Sequence, residues 1–482
     1  MNISWNKYRI KRFTPCAFLI VAGIAIYYPI LGNQLLDFWD DQWVVMNHYT
    51  QGGINIYNIR SILTEFYHGQ YAPFNEFLYL FLYTFFGYNP FIFHLASLLI
   101  HLVNSCLVFT VLKKLLTLSK RVSDPDKINS LSFITALFFC IHPFNVESVA
   151  WMSASKVLVY ALFYLLATYT FLIYIERNKI RYYLYTMTFF LFSFLGKEQA
   201  VVFPLLMLLI YWITNHKLSN KTIWSRTLPF FLLSIILGLI TIYSQHPNEG
   251  IFVPDNGSYP LWQRIIFACY SYWEYLFKII FPFKLSYLYP FPSTIGEPLP
   301  DWMIFYPAML SIVAVTLWQF IKKWPLAFGL CFFTIHIIVA LHIIPLSRFA
   351  IVADRYAYLS VIGIGFIFAY VVDATYSLLK GKFPRTLITI SFIGYFIYLG
   401  VYAHQRTYAW HSVDTLKKEL RELLKQRNDY PQYKHASGVK MDFNFYKSIV
   451  FRQSRWKRES RINKKTRNKT IGINNQELTI NH

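Results

Sequence analysis

Charged side chains are scarce in this chain. Asp, Glu, Lys and Arg together make up 15% of its 482 residues, where soluble domains carry about 25%. So few charges cannot clothe a water-facing surface, which excludes an ordinary soluble globular domain. Cysteine is sparse too. Cys16, Cys106, Cys140, Cys269 and Cys331 all lie inside apolar stretches, and none stands in a Cys-x-x-Cys pair. That excludes a disulfide framework and a structural zinc site. No His/Glu spacing resembles a zinc-binding helix, and nothing in the spacing of Asp40, Asp41 and Glu147 supports ligation of a divalent metal. No metal or other cofactor is therefore assigned.

What is present is apolar and aromatic: 55% and 20% of the residues. Several runs reach the roughly 17–25 residues that cross a bilayer. The expected fold is an all-α polytopic membrane protein with about 11 transmembrane helices. They are placed near 13–31, 91–114, 131–146, 156–175, 182–196, 199–214, 227–244, 302–320, 326–345, 357–379 and 385–402. The first follows Lys7, Arg9, Lys11 and Arg12 and lacks a small-x-small exit, so it reads as an uncleaved helix rather than a signal peptide. Eleven spans place the N-terminus inside and the C-terminus outside. The loops that then face inward carry Lys113, Lys114, Lys120 and Arg121; Arg177, Lys179 and Arg181; Lys217, Lys221 and Arg226; Lys322 and Lys323; and Lys380, Lys382 and Arg385. Each set is basic, as the positive-inside rule requires.

Two apolar segments fall outside this count, Phe74–Tyr88 and Trp262–Phe283. Both are rich in aromatic residues and read as helices in the outer interface. They belong to two large outer loops, 32–90 and 245–301, the second marked by Gly250, Pro254, Asn256, Gly257 and Pro260. The transmembrane domain is assigned to residues 1–405. Leu416, Leu420, Leu423 and Leu424 mark an amphipathic helix over 406–428. The remainder, 429–482, is a basic tail: Arg452 to Lys469 holds nine basic residues and one acid, a composition that cannot bury a core. From Val401 onward there are 18 Lys and Arg against 7 Asp and Glu, so half of the chain's net charge of +22 belongs to this end. No aromatic-interleaved fold accompanies those charges, and an outer location excludes nucleic acid as a partner. The partner that composition does imply is the lipid bilayer.

Chemistry-bearing residues gather at the outer ends of the expected spans. Asp40 and Asp41 follow the first one. Adjacent carboxylates repel, which raises one pKa and suits it to general-base work; the same pair can also sit solvated in a loop or cap a helix. His142 and Glu147 end the third span and can hold a substrate hydroxyl or simply satisfy the backbone. Lys156, Lys197, Arg264, Arg348 and Arg355 bring positive charge to the same face, where an Arg can clamp phosphate in a forked contact or neutralise a neighbour such as Asp354. Ionisable groups at this depth are rare and usually functional or paired.

Five segments, in order, resemble one family. Phe38-Trp39-Asp40-Asp41 resembles its F-x-W-D-D motif. Phe86-Gly87-Tyr88-Asn89-Pro90 with Phe93, His94, Leu95, His101 and Asn104 resembles its F-G-x-x-P-x-x-Y-H-L-x-N-x-x-x-H-x-x-N run. His142-Pro143 with Glu147, Val149, Ala150 and Trp151 resembles H-P-x-x-x-E-x-V-A-W. Leu195-Gly196-Lys197-Glu198 resembles an L-S-K-E/P turn, and Asp354-Arg355-Tyr356 with Tyr358 and Leu359 resembles E/D-R-Y-x-Y-L. The family is the bacterial relatives of the transmembrane and tetratricopeptide-repeat (TMTC) O-mannosyltransferases, and the likeness covers roughly residues 10–425. The chain departs from it at Tyr71-Ala72-Pro73-Phe74, where the family has Y-R-P-L, and at Ser153-Ala154-Ser155-Lys156-Val157, where it has S-E-R-K-D.

The resemblance implies a GT-C glycosyltransferase bundle, an inverting reaction and a polyprenyl-phosphate sugar donor. It also implies an active site on the outer face, here the periplasmic side of a bacterial inner membrane. By that analogy Asp40 is the catalytic carboxylate with Asp41 and Glu147 beside it. Lys197, Arg264, Arg348 and Arg355 are then expected at the donor phosphate, and His142, Lys156 and Tyr356 at the substrate. The acceptor is an unidentified hydroxyl of a protein or a glycan. Two rival expectations are a lipid-linked sugar flippase, which would keep its polar groups at mid-membrane, and a catalytically silent scaffold on the same bundle.

Overall fold

Every apolar run named above is helical in the computed structural model, which describes residues 3–36, 40–67, 70–244, 259–287, 289–293, 296–320, 323–344 and 350–425. Among the described residues six helices are long and apolar enough to cross a membrane: Thr14–Gly32, Pro90–Ser119, Met152–Arg177, Lys221–Ser244, Ser360–Leu378 and Lys382–Trp410. A seventh is broken. Pro125–Ile141 and Pro143–Ala150 meet at a 50° bend, where an unbroken 131–146 helix was expected. Pro143 has no N–H to donate, and it holds His142 in an extended conformation, φ −71° and ψ 131°.

Among the described residues six or seven of the eleven expected spans meet that length and apolarity. The other four segments form the helices Ile180–Gly196, Glu198–Ile213, Phe305–Phe320 and Trp324–Ala340. Two have 17 residues and two have 16, at the short end of the lengths that cross a bilayer. The second interfacial segment becomes the helix Leu261–Ile280. It is long enough to cross but carries Arg264, Glu274 and Lys278 and is not among the candidate spans. One departure from an all-α chain is a short antiparallel ribbon that pairs Tyr289 with Val352 and Pro290 with Ala350. It satisfies the backbone of the buried stretch Ala350–Val352.

Two compact units divide the chain at Lys417 and Lys418. The expected 406–428 helix is shorter, Val413–Lys425, because the helix Lys382–Thr407 runs on past residue 405. The basic tail 429–482 lies outside the described residues.

Helix Pro90–Ser119 packs against Pro125–Ile141 and Lys156–Arg177 and holds the bundle's breaks in register. His94, Ser97, His101 and Asn104 recur on one face at three- and four-residue steps and are all buried. Ser97 Oγ donates to Val149 O at 2.7 Å, His101 Nε2 lies 3.0 Å from Cys140 O, and Asn104 Nδ2 donates to Leu158 O at 3.0 Å. Those carbonyls sit where helices start or stop. A backbone group left bare in lipid costs several kcal/mol, roughly, and this polar stripe supplies the missing partners.

The stretch between the first two long helices is rich in short helices. Asp41–Val44, His48–Gln51, Ile56–Thr64 and Pro73–Phe86 are helices. Leu35, Val44, Val45, Tyr79 and Leu82 pack with Phe93 and Met152 into a common core. Tyr79 reaches across to donate to Met152 O at 2.6 Å. The stretch is therefore clamped onto the segment 152–156, which sets the position of the aspartate pair.

Candidate functional site

The two adjacent aspartates have different surroundings. Asp41 is fully buried. Its Oδ2 accepts from the backbone N–H of Leu36 at 2.9 Å. Its Oδ1 accepts from the N–H of Ser153 at 2.9 Å and from the Ser153 hydroxyl. Burial raises its pKa to about 6, against the opposing pull of those hydrogen bonds. Asp41 therefore staples its short helix to residue 153. Asp40 begins the helix Asp41–Val44 but makes no capping hydrogen bond with its side chain. It stays half-exposed and accepts a hydrogen bond from Trp43. Burial raises its pKa above the ordinary carboxylate value, while Arg355, Lys156 and Trp43 hold it partly down. Repulsion between the two aspartates raises Asp41 but is the smallest influence on it, so proximity to Asp41 is not what sets Asp40 apart.

Three cations gather on this side of the bundle. The Arg355 guanidinium donates to Glu147 Oε1 at 2.5 Å, and its backbone N–H donates to Glu147 Oε2 at 3.0 Å. The bend at Pro143 turns Glu147 toward Arg355. The guanidinium also lies over the rings of Trp151 at 5.2 Å and Tyr356 at 4.9 Å, a geometry that favours a cation. Lys197 shares Tyr356, its Nζ 4.7 Å from the ring centroid. It follows Gly196, where a side chain would stand 3.0 Å from the backbone of Tyr160; only glycine lets the turn seat so closely. Lys197 is 2% exposed. Burial pushes its pKa down to about 8, opposed by Glu198 and Tyr356 and reinforced by Lys156 and Arg355. Lys156 opens the helix Lys156–Arg177 and donates to Gln70 Oε1 at 2.6 Å.

The other expected site residues are placed differently. His142 is spent on the backbone: Nδ1 accepts from Phe144 N–H at 3.2 Å, and Nε2 points at Ile279 O, 3.0 Å away. It is buried and structural, the alternative that its sequence context left open. Arg264 donates to Ile343 O at 2.9 Å. It lies fourteen residues before Lys278 on its helix, about 21 Å by helical rise, and Lys278 is the end that acts on Asp354. Arg264 thus does not join the cluster. Arg348 lies outside the described residues. Asp354 accepts from the Tyr289 hydroxyl at 3.1 Å, and burial, with Glu147 adding to it, raises its pKa well above the ordinary value.

Glu76 was missed. It is the one charged residue of the helix Pro73–Phe86, and a lone acid in an apolar helix was the signal. Its Oε2 accepts from Asn47 Nδ2 at 2.6 Å. Burial lifts its pKa to about 7, against Asn47 and Lys156.

Among the described residues no three His, Cys, Asp or Glu side chains come together as a metal site would require. No family model and no curated protein matches this chain. The arrangement itself offers two things: a carboxylate at Asp40 whose pKa is raised, and positive charge at Lys197 and Arg355 over the shared ring of Tyr356.

Proposed function

We propose that the protein is a membrane glycosyltransferase of the GT-C type. It would move a sugar from a polyprenyl-phosphate donor to an acceptor hydroxyl at the outer face of a bacterial inner membrane. The observation that carries this reading is the half-exposed Asp40 under the influence of Arg355 and Lys156, with Lys197 coupled to the same two cations. The five motifs quoted above support it, since Asp40, Glu147, Lys197 and Arg355 each come from one of them.

In this reaction the acceptor oxygen attacks the anomeric carbon and forms the new glycosidic bond. The bond from that carbon to the phosphate oxygen breaks, and its electron pair leaves with the polyprenyl phosphate. The acceptor's proton goes to Asp40. A phosphate leaving group is already anionic, so it needs positive charge more than a proton, and Lys197 and Arg355 supply it. Glu147 fixes Arg355 so that the guanidinium meets the phosphate without reorganising.

The test is purified full-length protein in nanodiscs with a panel of polyprenyl-phosphate sugars, read as released polyprenyl phosphate. No release from any donor would overturn the transferase; movement of intact donor across the bilayer without release would identify a flippase. The pH profile gives a second check. Asp40 must be ionised, so kcat/KM is expected to fall on acidification below its raised pKa. Lys197 must be charged, so kcat/KM is also expected to fall as pH rises through about 8. Lys197→Arg keeps its charge throughout this range and should remove the alkaline limb while leaving the acid limb.

A further inference from the structure

A cleft beside Asp40 has no role in the donor half of the reaction. Trp43, Tyr49, Tyr67, Gln70, Tyr71, Asn75, Glu76 and Lys156 are among the residues that line it. Trp43, Tyr67 and Tyr71 are half-buried, so part of each ring remains open. Lys156 and Trp43 both line the cleft and both act on Asp40, so the cleft adjoins the proposed base.

Its acid and base are close but not paired. Glu76 feels the charge of Lys156, yet the two form no ion pair. Each makes one hydrogen bond to an amide side chain instead, Glu76 to Asn47 and Lys156 to Gln70. An unbridged carboxylate and ammonium facing one cleft leave an acceptor and a donor for a ligand that brings both kinds of group. Aromatic rings that keep part of their faces open, set among carboxylate and amide side chains, suit a ring with apolar C–H faces and an equatorial rim of hydroxyls. A polypeptide bound as an added strand would instead ask for a row of unpaired backbone groups. Along this wall Tyr67 and Gln70 already pair their own N–H and C=O groups, at 3.1 and 3.0 Å.

We infer that this cleft is the acceptor subsite and that the acceptor is a saccharide rather than a serine or threonine of a polypeptide. The inference rests on the transferase reading for its word acceptor, but binding can be measured without any transfer. Glu76 takes vicinal hydroxyls, Lys156 a ring or hydroxyl oxygen, and Tyr71 or Trp43 the apolar face. The present cleft is narrow, so the Lys156–Gln70 contact must open to admit a ring.

Saturation-transfer NMR on the full chain in nanodiscs tests this with methyl glycosides of mannose, galactose, glucose and N-acetylglucosamine, their disaccharides, and a Ser/Thr-rich peptide. At least one saccharide is expected to bind. Its Kd should rise at least tenfold in Glu76→Gln and in Tyr71→Ala. Thermal midpoints of the two cleft variants close to wild type would show that the loss is local. Peptide binding without saccharide binding, no saccharide binding at all, or an unchanged Kd in folded Glu76→Gln would overturn the inference. The two readings separate cleanly. Saccharide binding through Glu76 with no transfer from any donor sinks the transferase and leaves the saccharide site standing. Transfer to peptide alone does the reverse.

Discussion

Asp40→Asn is expected to lower kcat/KM for sugar transfer by about 10²–10⁴-fold, the usual worth of a positioned general base, with the fold intact. The amide is nearly isosteric, and Asp40 is half-exposed with no capping bond to lose. What disappears is the lone pair that takes the acceptor's proton. The neighbouring substitution should behave in the opposite way. Asp41→Ala removes the acceptor for the buried N–H groups of Leu36 and Ser153 and for the Ser153 hydroxyl. Each buried donor left bare costs about 1–3 kcal/mol, so Asp41→Ala should show first as a lower unfolding midpoint in detergent. A wild-type transfer rate in Asp40→Asn would remove Asp40 from the reaction. An unchanged midpoint in Asp41→Ala would remove Asp41 from its stapling role.

The second large effect is expected at Glu147. It is 2% exposed and holds Arg355 through two contacts, one to the guanidinium and one to the backbone. Glu147→Ala leaves a mostly buried guanidinium without its counter-ion, a loss of about 3–5 kcal/mol. Glu147→Gln keeps an oxygen to accept from Arg355 and should lose less. Denaturation in mixed micelles reads both. The donor KM adds a readout that packing alone would not move: Glu147→Gln should raise it by loosening Arg355, while acceptor affinity stays as it was. Equal stability in Glu147→Ala and wild type would show that the bend at Pro143 is held by something other than this pair.

How much of this could be read along the chain differs from residue to residue. The helical segments were legible because apolar length is a local property. Their number as crossings was not, because 182–196, 199–214, 302–320 and 326–345 are apolar along the chain yet form helices of only 16 or 17 residues. Lys197, Arg355, Lys156 and Tyr356 were legible as charges and an aromatic at the ends of apolar segments. That Tyr356 lies under two cations, and that Arg264 stands apart, depends on how separate helices pack. Glu76 was passed over although it is the lone acid of an apolar helix. Lys156, eighty residues later, is what gives it meaning.

Composition and hydropathy alone establish an integral membrane protein with few charges to spare, and so direct attention to those that remain. They also put the aspartate pair at the end of a span. Only the folded arrangement distinguishes the two carboxylates. Their covalent surroundings are nearly the same, and hydrogen bonds from residues 36 and 153 consume one while the other keeps an open side. One of those partners is five positions away and the other 112, and burial, not chain position, decides which carboxylate has an oxygen left for chemistry.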